Sequence, residues 1–115
     1  MNILSLLPEN DVLIQQAAQL LVDAFHEHWP DAWPTLEEGL KEVQEMLESE
    51  RICRIAVDEE GNLLGIIGGI PGYDGLVWEL HPLAVPPSRQ GQGIGRALAK
   101  DFEEQVRARG GLTIT

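Results

Sequence analysis

The residues with the clearest capacity for chemistry lie between positions 78 and 95. An apolar segment carries two ionisable side chains, Glu79 and His81, and leads directly into a glycine-rich loop. Because alternate residues of a β-strand project to the same face, a strand here would hold Glu79 and His81 side by side. A carboxylate or an imidazole in that position can take a proton from a reacting group. Two plainer interpretations stay open: Glu79 as a solvent-facing residue and His81 as a hydrogen-bonded structural residue.

The glycine-rich loop predicts a site for an anion. Successive backbone N–H groups of such a loop can surround phosphate oxygens, and the N-terminus of the following helix adds about half a positive charge. The spacing matches neither a Walker loop, because Gly95 is followed by Arg96-Ala97, nor the dinucleotide fingerprint G-x-G-x-x-G. A strand–turn–helix cap without a ligand is the plainer alternative. The loop reads Arg89-Gln90-Gly91-Gln92-Gly93-Ile94-Gly95.

The spacing of apolar residues predicts the elements that precede this segment. A first strand at residues 3–7 comes before a helix that Asn10 or Asp11 can cap. Thr35 and Glu38 form a capping-box pattern at the start of a second helix. The second helix is predicted to place its apolar residues on one side, namely Leu36, Leu40, Val43 and Leu47.

A hairpin and a further strand follow the second helix. Residues 51–57 and 63–70 form the predicted hairpin, separated by a polar turn with glycine. Within it, Gly68 and Gly69 indicate a bulge or a close approach of another backbone. The next strand, at residues 76–85, contains Glu79 and His81 and leads into the glycine-rich loop.

A third helix and a last strand complete the predicted domain. Gly110 or Gly111 ends the helix, and the last strand begins at Leu112. The order β-α-α-β-β-β-α-β predicts one α/β domain over residues 1–115, a mixed sheet with helices on its faces. The apolar row of the third helix is Ile94, Leu98, Phe102 and Val106.

Composition and charge argue against several classes of function. A net charge of −11 argues against nucleic acid as a partner, since phosphate binding needs clustered Lys and Arg. Residues 1–60 hold 14 of the 19 acidic side chains, whereas five of the eight basic ones lie within residues 89–109. The acidic half can therefore attract a cation while the loop region accepts an anion, although acidic helices also simply favour solubility.

The remaining composition predicts a cytoplasmic protein without a membrane segment. No apolar run approaches the roughly 20 residues that cross a bilayer, and no signal peptide is apparent. The single cysteine, Cys53, suits a reducing compartment and is predicted to be a core residue. His26 and His28 are two positions apart at a helix end and face different directions, so no metal site is predicted.

The glycine-rich loop resembles the coenzyme A pyrophosphate loop of the GCN5-related N-acetyltransferases. The pattern Gln/Arg-x-x-Gly-x-Gly/Ala is present from Gln90 to Gly95, directly after a strand and opening a helix. The order of elements is similar to the first two thirds of that fold. A narrower similarity, to one branch of aminoglycoside 6′-N-acetyltransferases, covers nearly the whole chain and is strongest from Trp78-Glu79-Leu80-His81-Pro82-Leu83 onward.

This resemblance implies direct acetyl transfer from acetyl-CoA to an amine, with Glu79 as the base and His81 as a second catalytic candidate. A main-chain N–H near Leu83 would polarise the thioester carbonyl. Trp29, Tyr73 and Glu79 are candidates for contacts to a cationic amine substrate such as an aminoglycoside. The pantetheine arm would pair with Leu83, Ala84 and Val85, and the remaining cofactor contacts would come from Arg89, Gln90, Gly91, Gln92, Gly93, Ile94, Gly95 and Arg96.

The family's fold normally continues beyond the strand that begins at Leu112, with a helix and two further strands. We therefore expect a domain that is truncated after the start of its fifth strand. The exposed edge of that strand is expected to pair with a second copy in a homodimer, unless the chain is a fragment. Two other functions stay open: a non-catalytic binding or oligomerisation module, and an acetyltransferase for polyamines or protein N-termini.

Overall fold

The computed structural model describes residues 1–115 and confirms the predicted order of elements. None of its helices combines the length and the apolar content needed to cross a membrane. In chain order the elements are β1 (Asn2–Ser5), α1 (Asp11–Phe25), α2 (Leu36–Met46), β2 (Ile52–Val57), β3 (Leu63–Gly72), β4 (Val77–Ala84), α3 (Ile94–Ala108) and β5 (Thr113–Ile114).

The five strands form one mixed sheet in the order β1-β2-β3-β4-β5. The first four strands are antiparallel to their neighbours, and β5 runs parallel to β4, with Val77 opposite Thr113 and Trp78 opposite Ile114. The predicted α/β class with a mixed sheet is therefore confirmed. β5 lies at an edge of the sheet, and the homodimer through that edge stays a prediction.

Both N-terminal helices begin at the predicted polar residues. The side chain of Asn10 accepts a hydrogen bond from the Leu13 N–H at 3.1 Å, and Thr35 accepts one from the Glu38 N–H at 3.2 Å. Each cap satisfies a backbone donor that the helix itself leaves free, which stabilises the helix by about 1 kcal/mol. Of the two candidates for the first cap, Asn10 is therefore the one used.

Two hydrophobic clusters lie on opposite faces of the sheet. On β2, Cys53, Ile55 and Val57 belong to the first cluster, under α1 and α2, while Ile52 and Ala56 belong to the second, under α3. This alternation is what a strand covered on both faces requires. The predicted apolar row of α3 is confirmed, since all four of its members are buried: Ile94, Leu98, Phe102 and Val106.

The predicted stripe of α2 needs one correction. Leu36 is 41% exposed, whereas Met46, which the prediction omitted, is 1% exposed. Leu36 is the first residue of the helix, and the buried side of the helix follows Gly39, Val43 and Met46 instead. An added Cβ at Gly39 would lie 2.6 Å from the Ala18 carbonyl oxygen, so glycine lets α1 and α2 approach closely here.

Cys53 has the core role that was predicted. Its side chain is buried in the first cluster, and burial raises the pKa of its thiol to about 12. The thiolate is the reactive form of cysteine, so this residue is inert at neutral pH.

Candidate active site

Strand β4 places its two ionisable side chains on the face covered by α1 and α2. Trp78 and Leu80 pack into the cluster under α3, so the intervening Glu79 and the following His81 project to the opposite face. His81 contacts α2 there, at Glu42. Glu79 is exposed, and no hydrogen bond engages its side chain. The predicted common face is confirmed, and His81 is the residue of the pair that contacts α2.

A bulge between β3 and β4 lies at His81. The ladder pairs Ile67 with Leu83 and Gly69 with Leu80, so two residues of β4 lie opposite Gly68 alone. An added Cβ at Gly68 would lie 2.7 Å from the His81 carbonyl oxygen. Both predictions for the glycine pair are therefore confirmed, since a bulge with its extra residue in β4 lies opposite Gly68 and the backbone of β4 approaches Gly68 closely. A bulge re-aims side chains, and here it acts at His81.

An open cleft of about 700 Å³ lies beside this bulge, between α1, α2 and β4. Trp29, one of the predicted substrate contacts, lines it and is 65% exposed. Tyr73 lies on the turn after β3, is 81% exposed and does not line the cleft. Of the three predicted substrate contacts, the structure therefore brings Trp29 into the lining of the cleft, whereas neither Tyr73 nor Glu79 lines it. The lining residues are Phe25, Trp29, Ala32, Trp33, Glu42, Leu80, His81, Pro82 and Leu83.

The aromatic wall of the cleft comes from the end of α1 and the connection to α2. The rings of Phe25 and Trp33 pack edge to face with centroids 5.0 Å apart. The ring of Trp33 in turn lies 6.1 Å from the imidazole of His81. Such a wall offers π faces to a cation as well as apolar surface.

Glu42 is a site residue that sequence reasoning missed. Its Oε1 lies 3.2 Å from Nε2 of His81, and its side chain is 11% exposed. Burial raises the pKa of the Glu42 carboxyl, while the neighbouring His81 lowers it by a smaller amount. The sequence signal that could have identified Glu42 is its helical spacing. It lies three residues after Gly39 and four before Met46, both of which are buried, so it shares their side of α2.

The glycine-rich loop encloses a second cavity, of about 430 Å³. Gly93 has a left-handed backbone, with φ of +88°, and is the N-cap of α3, while Gly91 has φ of +82°. The side-chain amide of Gln90 donates a hydrogen bond to the Val85 carbonyl at 3.2 Å, which ties the loop to the end of β4. The cavity is lined by Val85 and by every residue of the predicted loop site: Arg89, Gln90, Gly91, Gln92, Gly93, Ile94, Gly95 and Arg96.

Residues 83–85 connect the two cavities. Leu83 lines the aromatic cleft and Val85 lines the loop cavity, while Ala84 between them is buried. An extended ligand with its anionic end in the loop would therefore pass this segment to reach the cleft. The geometry suits transfer of a group from an anionic carrier to an acceptor held between aromatic rings and a carboxylate.

Comparison with known proteins supports this interpretation. The family model described as Acetyltransferase (GNAT) family matches residues 14–115. A comparison with curated proteins gave no match. Among solved structures, an aminoglycoside 6′-N-acetyltransferase complexed with coenzyme A is 40% identical, with a TM-score of 0.83 over 96% of this chain and 58% of that chain.

Two further structures are equally similar. An aminoglycoside 6′-acetyltransferase type Ii is 40% identical with a TM-score of 0.84, covering 99% of this chain and 69% of that chain. The aminoglycoside 6′-N-acetyltransferase from Enterococcus faecium has the same identity and TM-score, with 99% and 59% covered. The chain thus spans 58% to 69% of the length of these enzymes. The family model covers most of the chain, and the residues of the glycine-rich loop line one cavity. The chain therefore belongs to the GNAT family of acetyltransferases.

Proposed function

We propose that this chain carries the site of an acetyl-CoA-dependent N-acetyltransferase that acetylates an amine of a cationic small molecule, an aminoglycoside. The observation that carries the proposal is the connection of a glycine-loop cavity to an aromatic cleft through Leu83–Val85 of one strand. The acceptor class follows the solved structures that are 40% identical, which are aminoglycoside acetyltransferases.

The loop cavity fits the pyrophosphate of coenzyme A. Backbone N–H groups from Gln90 to Gly95 would donate to phosphate oxygens, and the N-terminus of α3 would add its partial positive charge. Arg89 and Arg96 line the same cavity and would supply formal positive charge. Leu83, Ala84 and Val85 would hold the pantetheine arm. Acetyl-CoA, when bound, supplies the acetyl group as a thioester.

The aromatic cleft fits a positively charged acceptor. Trp29 and Trp33 offer π faces, and Glu42 is a carboxylate within the lining. The net charge of −11 also favours the approach of a polycation over that of an anion. Polyamines share this charge, so the cleft alone favours cationic amines as a class, and the aminoglycoside assignment rests on the similar structures.

Three groups of the chain would act on the reacting atoms. A main-chain N–H near Leu83 would donate to the carbonyl oxygen on which negative charge develops. A protonated amine cannot attack, so Glu79 would remove its first proton, directly or through water, and His81, on the same face of β4, would take the second as the amide forms. Holding both substrates against β4 would supply much of the rate acceleration. We place this reaction in the cytoplasm.

The function is tested by calorimetry with coenzyme A, followed by turnover of acetyl-CoA with kanamycin A, spermidine or a peptide with a free N-terminus. We expect binding of coenzyme A and turnover with kanamycin A. A folded chain that does not bind coenzyme A would overturn the proposal. Binding without turnover on any amine would instead favour the non-catalytic module, and turnover only on spermidine or the peptide would correct the acceptor.

Replacing Glu79 with Gln tests the proposed base. We expect kcat for kanamycin A to fall by about 100-fold, because a positioned general base supplies roughly 100- to 10,000-fold in rate. The steady-state rate is the measurement, and Glu104→Gln, which neutralises an exposed carboxylate of α3, is the control. An unchanged rate in Glu79→Gln would remove Glu79 as the base and leave proton removal to His81.

A further inference from the structure

The cleft contains a buried carboxylate oxygen without a hydrogen-bond donor. Glu42 Oε1 is shielded from solvent and has no hydrogen-bond partner, although Nε2 of His81 lies only 3.2 Å away. Leaving a buried acceptor unpaired destabilises the folded state, and more so when the group is charged. A small reorientation of the imidazole would give this oxygen the donor it lacks.

If His81 is that donor, the hydrogen bond determines which of its two ring nitrogens carries the proton. A neutral imidazole donates from one nitrogen and accepts at the other. A proton on Nε2 satisfies Glu42, which leaves the lone pair of Nδ1 free. The side chain of His81 is 43% exposed and lines the cleft. Nδ1 is therefore the nitrogen available to a molecule bound there.

We infer that Glu42 is a positioning residue, which holds the imidazole of His81 with Nε2 protonated so that Nδ1 accepts the proton of the acceptor amine. The inference rests on the proposed function and adds a residue to it. The amine nitrogen bonds to the acetyl carbon as the carbon–sulfur bond breaks, and sulfur keeps the electron pair. The amine gives its first proton to Glu79 before attack, its second proton passes to Nδ1 as the amide forms, and the resulting imidazolium later releases that proton to solvent.

Two neighbours stabilise an imidazolium at this position. The carboxylate of Glu42 lies against Nε2, and the ring of Trp33 lies 6.1 Å from the imidazole at an angle of 56°. A cation beside an aromatic face is attracted by the negative face of the ring. The bulge that aims His81 at the cleft depends on Gly68, where no side chain fits against the His81 carbonyl.

Burial of Glu42 couples the protonation of its carboxyl to folding. Burial raises the folded-state pKa of its carboxyl above the unfolded value, so the folded state binds this proton more tightly. Stability from this group is therefore greatest at low pH and declines as the pH rises through the raised pKa. A carboxyl in a cleft whose pKa is shifted by burial is typical of a functional site. We accordingly expect Glu42→Gln to melt no lower than the unchanged chain at pH 7.

The experiment combines histidine NMR with steady-state kinetics. Both are applied to the unchanged chain and to the variants Glu42→Gln and Glu42→Leu. The control is Glu37→Gln, which neutralises an exposed carboxylate of the same helix. We expect a slowly exchanging proton on Nε2 of His81 in the unchanged chain and in the control. Leu accepts no hydrogen bond, so Glu42→Leu should lose this signal. With acetyl-CoA and kanamycin A, kcat should fall about 10- to 100-fold in both Glu42 variants, with KM for acetyl-CoA unchanged. This expected fall is smaller than the full rate enhancement of roughly 100- to 10,000-fold that a general base supplies, because Glu42 acts only through His81.

The two readouts separate this inference from the proposed function. A signal on Nε2 that persists in Glu42→Leu, or a kcat that is unchanged in both Glu42 variants, would overturn the role of Glu42. Glu42→Gln keeps the side-chain shape, so it decides the kinetic question if Glu42→Leu does not fold. Failure of the unchanged chain to bind coenzyme A would overturn the proposed function, and the proton-transfer role with it, whereas the NMR signal would still report the Glu42–His81 pairing.

Discussion

Replacing Phe102 with Ala is expected to lower the free energy of unfolding by about 3–5 kcal/mol. The side chain is 1% exposed and is a member of the cluster that packs α3 against the sheet. An added Cβ at Gly69 would overlap its ring, which shows that the ring lies directly against β3. The cavity left by Ala could not be refilled without moving β3 or Trp78. Urea unfolding followed by circular dichroism measures the change.

The loss is large against the 5–15 kcal/mol that is typical of single domains. Glu104→Ala on the same helix is the matched control, and its exposed position predicts a change within about 0.5 kcal/mol. A loss below about 1 kcal/mol in Phe102→Ala would contradict the packing of α3 on this face. It would also undermine the loop site, because the N-terminus of α3 forms part of the loop cavity.

Replacing Gly93 with Val is expected to weaken coenzyme A binding by at least about 100-fold. An added Cβ at Gly93 meets no protein atom within 4 Å, so the side chain would project into the loop cavity rather than into the core. There it would displace a phosphate oxygen and break charged hydrogen bonds worth about 1.5–3 kcal/mol each. Two such bonds correspond to about 100-fold or more in Kd. Calorimetry with coenzyme A measures the effect.

Gly61→Val is a closely matched control for this variant. Gly61 lies in the turn between β2 and β3, has φ of +83° compared with +88° at Gly93, and is also free of neighbours within 4 Å. Both substitutions therefore introduce the same backbone strain, but only one of them fills the loop cavity. Equal losses of affinity in the two variants would show that strain, rather than occupation of the cavity, causes the effect.

The elements of this fold could be predicted because their signals are local. The row from Ile94 to Val106 repeats every four residues, and Asn10 and Thr35 carry the polar side chains that cap helices. The loop that encloses the second cavity was likewise recognisable from its glycine spacing. Each of these signals depends on neighbours within a few positions, so tertiary contacts are not needed to interpret it.

The cleft could not be predicted in the same way, because distant segments create it. Glu42 is one of several acidic residues on α2, and only its contact with His81 in β4 distinguishes it from the solvent-facing ones. Tyr73 was predicted as a substrate contact from its residue type, but the turn after β3 leaves it outside both cavities. The aromatic wall depends on where the connection between α1 and α2 crosses β4, which no local pattern encodes.

The two hydrophobic clusters also bear on how this protein can change under selection. Phe25 and Trp33 of the aromatic cleft pack against the cluster beneath α1 and α2, whereas Val85 and Ile94 of the loop cavity belong to the cluster beneath α3. Substitutions in this aromatic wall therefore act on a different core from the one that supports the loop, whereas Leu80 and Leu83 of the cleft pack against the cluster beneath α3. In the proposed reaction, substitutions of the aromatic wall would alter the acceptor site and leave the core beneath the donor loop unchanged, and β4 is the element that both cavities share.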